Sequence, residues 1–461
     1  MASLYGYALD AFRVLVPLPQ NRLPREGPYV WFYALTLAML VAMAGMARRQ
    51  GTWAMRLALF PFAMAATLKF VFGFVSKEDA FNRLLGTWGL QYCIKLIDYA
   101  FSPEPKLKLS EVQSGKKDGA KDMSFLSPWE RLGFSTFFFI YDGFELLHVI
   151  RGFDWQFGVE IGIRKPRNWA PTSSRVSFVL KTLLSIFTYF LSCDVAQTII
   201  HAAPLCGEAL CGAQGRSMFS FGGDNLVARY AISTLLHFMS GILVIYGFEV
   251  INSVLSIFVV FFSGSDPSDW PPLFDDPWIS TSLHDLWGKR WHQLFRRSVL
   301  LVGGHPFATI VNWFTPAGKL GSSASDDGAK VKRSPLHPAA VAMGAFLASG
   351  LLHTWDSYAQ RNGRMPGALT IAFFAAQGVA LAVEREWKRM TGKPVGGFWG
   401  WLWVCFWMVI VAQPLVDEWH QLGFLDSSYI LPEQSPTQLF IIPFLHQYFP
   451  TLLSRSIFAI S

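Results

Sequence analysis

Long apolar runs alternate with short basic or turn-rich stretches along this chain, and their spacing predicts its elements. A bilayer core of about 30 Å takes about 20 helical residues at a rise of about 1.5 Å each. Residues 29–47, closed by Arg48 and Arg49, and residues 53–75 reach that length. Arg56 and Lys69 in the second run are tolerable if they snorkel or face a bundle interior. Residues 176–202, 232–262, 339–355, 367–383 and 398–416 read as further helices, the run 232–262 tilted or broken near Gly247.

Three apolar stretches resist a simple crossing. Residues 81–101 carry Arg83, Lys95 and Asp98 at helical spacing, which suits either an interfacial amphipathic helix or a buried bundle helix. Residues 132–150 hold Asp142, Glu145 and His148, so that segment must face protein or water somewhere. Residues 299–314 are short, contain His305-Pro306 and have basic flanks, the pattern of a re-entrant or interfacial piece. The expected fold class is an all-α polytopic membrane protein, with seven to nine transmembrane helices plus re-entrant and interfacial helices. Residues 1–131 form N-terminal membrane segments and a cytosolic loop, 132–436 a core, and 437–461 a terminal interfacial helix.

Composition agrees with the pattern. Hydrophobic residues make up 52% of 461 and charged ones 15%, against roughly 25% charged in an average soluble domain. The net charge of +7 is spread through loops and forms no basic tail or nucleic-acid motif, so it reads as topology: cytoplasmic loops collect Lys and Arg. By that rule the lysine-rich 102–128 is a solvated cytosolic loop, and 203–229 and the acidic loop after 416 are lumenal. No cleavable signal peptide is evident. Five cysteines are too few for a disulfide scaffold; Cys206 and Cys211 share one loop and either pair or stay free.

Two stretches carry candidate chemistry. In Ser280–Arg297, Ser282 and Asp285 have capping-box spacing, which predicts a helix starting there. On one continuous helix Asp285, Lys289, His292 and Arg296 would share a face, with Trp287, Trp291 and Leu294 opposite. Such a helix is either a lipid-surface anchor or a wall that binds an anionic substrate. His353 lies in an apolar helix beside Ser349 and Gly350. It is either a satisfied interhelical histidine or, because ionisable groups in membrane helices are costly, a functional one. As a base it must be neutral to take a proton from a hydroxyl, and Asp356 one turn on either orients it or ends the helix. The Arg151-Gly-Phe-Asp-Trp155 turn reads by itself as an interfacial Trp anchor.

Other chemistries lack their residues. No two of the ten histidines stand closer than His284 and His292, which argues against a di-iron centre, and no metal site is expected. No Walker loop, dinucleotide fingerprint or G-x-S-x-G elbow occurs.

Taken together, Pro271-Pro-Leu-Phe-x-x-Pro, Ser282-Leu-x-x-Leu-Trp-Gly-Lys-Arg-Trp-His292 and Ser349-Gly-Leu-Leu-His353 resemble the wax synthase-like branch of the membrane-bound O-acyltransferases. Arg151-Gly-x-x-Trp-Gln is similar to an element of its fungal members. The resemblance implies acyl transfer from acyl-CoA, with acetyl-CoA ranked first, to a lipophilic alcohol. It implies His353 as general base and His292 as the group that holds the thioester. Trp287, Lys289, Arg290, Trp291 and Arg296 are the expected coenzyme-binding residues, the basic ones for its phosphates. The bilayer is the expected partner, nucleic acid is not, and the endoplasmic reticulum is the expected location. Terpenoid acetylation ranks first and wax or sterol ester synthesis second. A transporter with an intramembrane histidine is the alternative of another class.

Overall fold

The computed structural model describes residues 4–77, 79–119, 127–149, 151–163, 165–166, 169, 174–202, 217–221, 223–262, 266–314, 337–360, 363–423 and 429–448. Among them the chain is helical, and the only ladder is a two-residue parallel pairing of β1 (Leu23–Pro24) with β2 (Phe74–Val75). The first body is built from α1 (Leu4–Leu15), α2 (Tyr29–Ala47), α3 (Trp53–Phe72), α4 (Asp79–Phe101), the short α5 (Leu109–Gln113) and α6 (Pro128–His148). Met43, Leu96, Leu146 and Leu147 form its centre. Then come α7 (Gln156–Glu160), α8 (Arg175–Ala202) and α9 (Leu226–Phe262). Ile200 clusters with Leu236 and Tyr189 stacks on Tyr246 at 5.2 Å, so α8 and α9 run antiparallel.

The remaining elements surround the two chemistry-bearing stretches. They are α10 (Leu283–Asp285), α11 (Arg296–Val299), α12 (His305–Phe314), α13 (Pro338–Tyr358), α14 (Ala368–Thr391), α15 (Gly397–Cys405), α16 (Gln413–Gln421) and α17 (Ile442–Tyr448). A wide π-type turn at 300–304 joins α11 to α12 without a break. The resulting helix, longer than the apolar run alone implied, lies against α13. Gly303 and Gly344 meet backbone to backbone there: a Cβ on either would overlap the other's carbonyl. α13 then pairs with α14 through Gly350 against Ile371 and Phe374.

The basic groups in and beside the apolar segments share one role. The last carbonyls of a helix lack intrahelical donors and carry the negative end of its dipole, and basic side chains supply what they need. Lys95 donates to Leu146, Leu147 and Val149 at the end of α6 (3.1, 2.5 and 3.0 Å). Arg56 does the same for Tyr99 and Ser102 after α4, and Lys69 for Val14 of α1 (2.8 Å). Arg22 caps α13 through Tyr358 and Gln360 (both 2.6 Å). On α6, Asp142 pairs with Arg49 at 2.7 Å and Glu145 with Lys108 at 2.6 Å, which satisfies the requirement that this segment face protein.

Several expectations are thereby settled or corrected. Residues 81–101 are a bundle helix, with Leu96 and Ala100 wholly buried. The run at 232–262 is part of one unbroken 37-residue helix, about 55 Å long at the α-helical rise. The loop after 102 is fixed up to Gly119, because Glu111 makes a two-point ion pair with the buried Arg48 (2.6 and 2.8 Å). α14 continues through the Glu384–Lys388 cluster to Thr391 rather than ending at 383. Six helices among the described residues are long and apolar enough to cross a membrane, fewer than the seven to nine expected; α6 and α13 have the length but carry Asp142, Glu145, His353 and Asp356. Cys206, Cys211, most of the 318–338 loop and the end of the 437–461 segment lie outside the described residues.

Candidate active site

The segment 270–299 is not one amphipathic helix, because its backbone is tied down at several points by neighbouring elements. Arg151, buried after α6, donates to the Pro271 and Pro272 carbonyls (2.6 and 2.9 Å). Glu249, buried in α9, accepts the N–H groups of Leu273 and Phe274 (2.8 and 2.9 Å). These contacts hold the proline-rich lead-in, which has no helical hydrogen bonds of its own.

Ser282 caps α10 as its spacing predicts, its side chain accepting the Asp285 N–H at 2.9 Å. The reciprocal half of the box is absent: Asp285 is taken by Arg290 at 2.6 Å and by Lys289 at 3.4 Å. Glu384 of α14 fills the vacant place, accepting the N–H groups of Leu283 and His284 (2.7 and 3.0 Å) and the indole of Trp403 (3.0 Å). The helix widens at 286–290, where the Trp291 N–H reaches the Leu286 carbonyl at 2.8 Å, and turns extended at Trp291.

That exit leaves carbonyls that other groups satisfy. Gln293 donates to the Trp291 carbonyl (2.8 Å), Arg296 to Gly288 (2.9 Å), and the Asp275 N–H to Arg290 (2.9 Å). His292 therefore does not share the Asp285–Lys289 face. It points into rings of Phe274, Phe295, Trp291 and Phe248, at centroid distances of 5.5–5.9 Å. Its Nδ1 is buried and has no hydrogen-bond partner among the described residues. Burial first, and the nearness of His353 second, push its pKa down to about 3, so the ring is neutral at pH 7.

His353 stacks on Phe374 of α14 at 5.0 Å and meets Trp419 of α16 at 5.6 Å. Its side chain is partly uncovered, with 39% of its surface exposed. Asp356 approaches its Nδ1 to 3.9 Å, beyond hydrogen-bond length, and accepts from Thr87 of α4 at 3.2 Å. The structure thus brings His292 and His353 within electrostatic reach of each other, between aromatic walls from α9, α14 and α16.

The five expected coenzyme residues divide. Trp287 donates to Gln377 (3.0 Å) and packs on Phe346, and Trp291 packs on Phe274, so both are wall residues. Arg290 and Arg296 hold local backbone and side-chain oxygens, Arg290 including the Asp275 carbonyl at 3.0 Å. Lys289 is largely exposed. Pattern reading missed Phe248, Phe374 and Trp419, which appear as ordinary apolar positions. Glu249 and Glu384 had a signal, a carboxylate within or ending an apolar run. No group of three metal-ligating side chains occurs among the described residues.

In this many-helix body two histidines, each among aromatic rings, lie within electrostatic reach of each other and offer a base and a polar partner in an apolar setting. Residues 270–376 match the family described as Membrane bound O-acyl transferase family, a match that supports an acyltransferase enzyme. The chain is 24% identical over 307 residues to "Acetyltransferase ple2" of Rhodocybe pseudopiperita, covering 65% of this chain and 68% of that protein. It is 25% identical over 260 residues to "Acetyltransferase eriL" of Hericium erinaceus, covering 55% and 60%. A third relative, "Probable long-chain-alcohol O-fatty-acyltransferase 8" of Arabidopsis thaliana, is 28% identical over 149 residues, 31% of this chain and 35% of its own. These similarities favour an acyltransferase over the transporter alternative.

Proposed function

We propose that this enzyme moves an acetyl group from acetyl-CoA to a hydroxyl of a lipophilic acceptor, a terpenoid or related secondary metabolite, with residues 132–436 as its acyltransferase core. The observation that carries the reading is that His292 and His353, each set among aromatic rings, lie within electrostatic reach of each other. The fungal relatives named acetyltransferases support the acyl group. The endoplasmic reticulum is the membrane we assign it.

His353 takes the proton of the acceptor hydroxyl as the oxygen attacks the thioester carbonyl carbon. His292 hydrogen-bonds the developing oxyanion, where a preorganised donor in a dry site counts most. Collapse of the tetrahedral intermediate breaks the C–S bond, and the proton on His353 passes to the departing thiolate, giving free coenzyme and ester. Lys289 together with Trp287, Arg290, Trp291 and Arg296 forms the wall along which the donor enters. Exclusion of water by the ring walls protects the thioester from hydrolysis.

A second reading, long-chain acyl transfer to make wax or sterol esters, is favoured by the plant relative's name. Microsomes containing the protein, given radiolabelled acetyl-CoA or palmitoyl-CoA with a panel of lipophilic alcohols, separate the two. Labelled acetate esters are expected. Labelled palmitate esters alone would establish the second reading, and no ester with any donor would sink both.

A further inference from the structure

A cleft partly open to solvent lies between the end of α4, the loop after α6 and the start of the α11–α12 helix. Lys95, Lys106, Arg297 and a single carboxylate, Asp98, line it. The three cations differ in what they have left to give. All three Lys95 N–H groups are spent on the α6 carbonyls. Lys106 uses two of its own, on Asp98 and Ser102 (both 3.0 Å). Arg297 spends Nε and Nη2 on Asp98 (2.7–3.0 Å), while its Nη1 has no partner among the described residues. Two cations share Asp98, and Glu160 adds a weaker attraction at Lys106, so the positive charge is compensated only in part; burial first and Arg297 also lower the Lys106 pKa, with Asp98 and Glu160 opposing. An anion with two or more oxygens would use the unspent donors and cancel that excess.

A polar seam leads from this cleft to the chemistry. On α4, Asp98, Gln91 and Thr87 fall on one face. They bond in turn to Arg297, to Ser298 (2.6 Å) and to Asp356 (3.2 Å) beside His353. From position 98 to 87 the helix rises about 17 Å. That is about the reach of five extended residues at about 3.4 Å each, the length class of a pantetheine arm.

We propose that the cleft binds a phosphate group of the acyl donor, with the third Lys106 N–H and the Arg297 Nη1 as its ligands. This rests on the acyl-CoA reading and deepens it, placing a coenzyme phosphate at a site apart from Arg290 and Arg296. A phospholipid headgroup offers the same chemistry. The seam toward His353 favours the coenzyme.

The full-length protein in phosphatidylcholine nanodiscs provides the test, by equilibrium binding of CoA and of pantetheine, which lacks every phosphate. The unmodified protein is expected to prefer CoA. Lys106→Met is expected to lose about tenfold or more in CoA affinity, as one charge-assisted contact implies, and to bind pantetheine within about twofold of the unmodified protein. Lys106→Arg is expected to keep most of the preference, which separates lost recognition from a damaged fold. Equal losses for both ligands in Lys106→Met, or an unchanged preference for CoA, overturn the proposal. So does a variant that loses affinity for phosphatidic acid added to the discs while keeping it for CoA. Should the unmodified protein bind neither CoA nor pantetheine, the acyl-CoA reading itself fails.

Discussion

Glu384 lies on α14, away from both histidines in sequence, yet its carboxylate fixes the start of the turn that leads to His292. It accepts two backbone N–H groups at 2.7 and 3.0 Å and the Trp403 indole at 3.0 Å. Hydrogen bonds to a charged acceptor contribute about 1.5–3 kcal/mol each, and a buried donor left unpaired costs about 1–3 kcal/mol. The three donors belong to one node and are not additive, so Glu384→Ala should cost about 3 kcal/mol or more, above the value for any one of these bonds. Ser282→Ala removes one N-cap bond of 2.9 Å from the same turn and should cost about 1 kcal/mol. Glu384→Gln falls between, because its amide nitrogen would face a donor. Thermal unfolding of the three variants in detergent, alongside turnover in microsomes, checks the order. Misplacement of the site by about 1 Å costs about 100-fold, so Glu384→Ala should lose activity beyond its loss of stability. A Glu384→Ala protein that melts with Ser282→Ala and turns over normally would refute this account of how the motif is held.

The remaining predictions concern the site itself. His292→Ala should lower turnover with normal membrane insertion, while His292→Asn, which keeps a donor, should retain more; equal, unmodified rates in both would reduce His292 to a packing residue. Since the native His292 takes a proton only near pH 3 and an unfolded histidine near about 6.5, the unfolded state binds the extra proton between those values. Its contribution to stability is thus full above about pH 6.5 and declines as pH falls toward 3. Melting curves from pH 8 to 4 should show that loss, and His292→Phe should flatten it; an identical slope in the variant contradicts the assignment. Gly303→Leu should push the α11–α12 helix off α13, lowering the melting temperature and activity together, whereas full stability would mean that the Gly303–Gly344 approach is not needed.

Much of the membrane architecture was legible because crossing lipid imposes length and apolarity on a sequence. The runs at 29–47, 53–75 and 176–202 therefore correspond closely to α2, α3 and α8. Periodicity failed at 282–297, where Ser282 and Asp285 did start a helix. It could not foresee that Gln293, Arg296 and the lead-in would satisfy the carbonyls of an early exit. His292 and His353 stood out as polar residues in motif and apolar contexts. The groups that hold the site, Arg151, Glu249, Glu384 and Thr87, lie 43 to 266 positions from the histidines they bear on. Each bonds to a backbone or side chain that only the tertiary fold brings near. Arg151 shows the limit most clearly: its turn reads as an interfacial anchor, while the fold makes it the clamp on Pro271 and Pro272.

The central claim is that His353 moves the proton in acyl transfer. The most direct measurement is label transfer from radiolabelled acetyl-CoA to an accepted alcohol, in microsomes carrying equal amounts of unmodified protein and His353→Ala. Loss of a general base predicts a rate about 100-fold or more lower, with membrane insertion unchanged. Undiminished ester from His353→Ala would contradict the account.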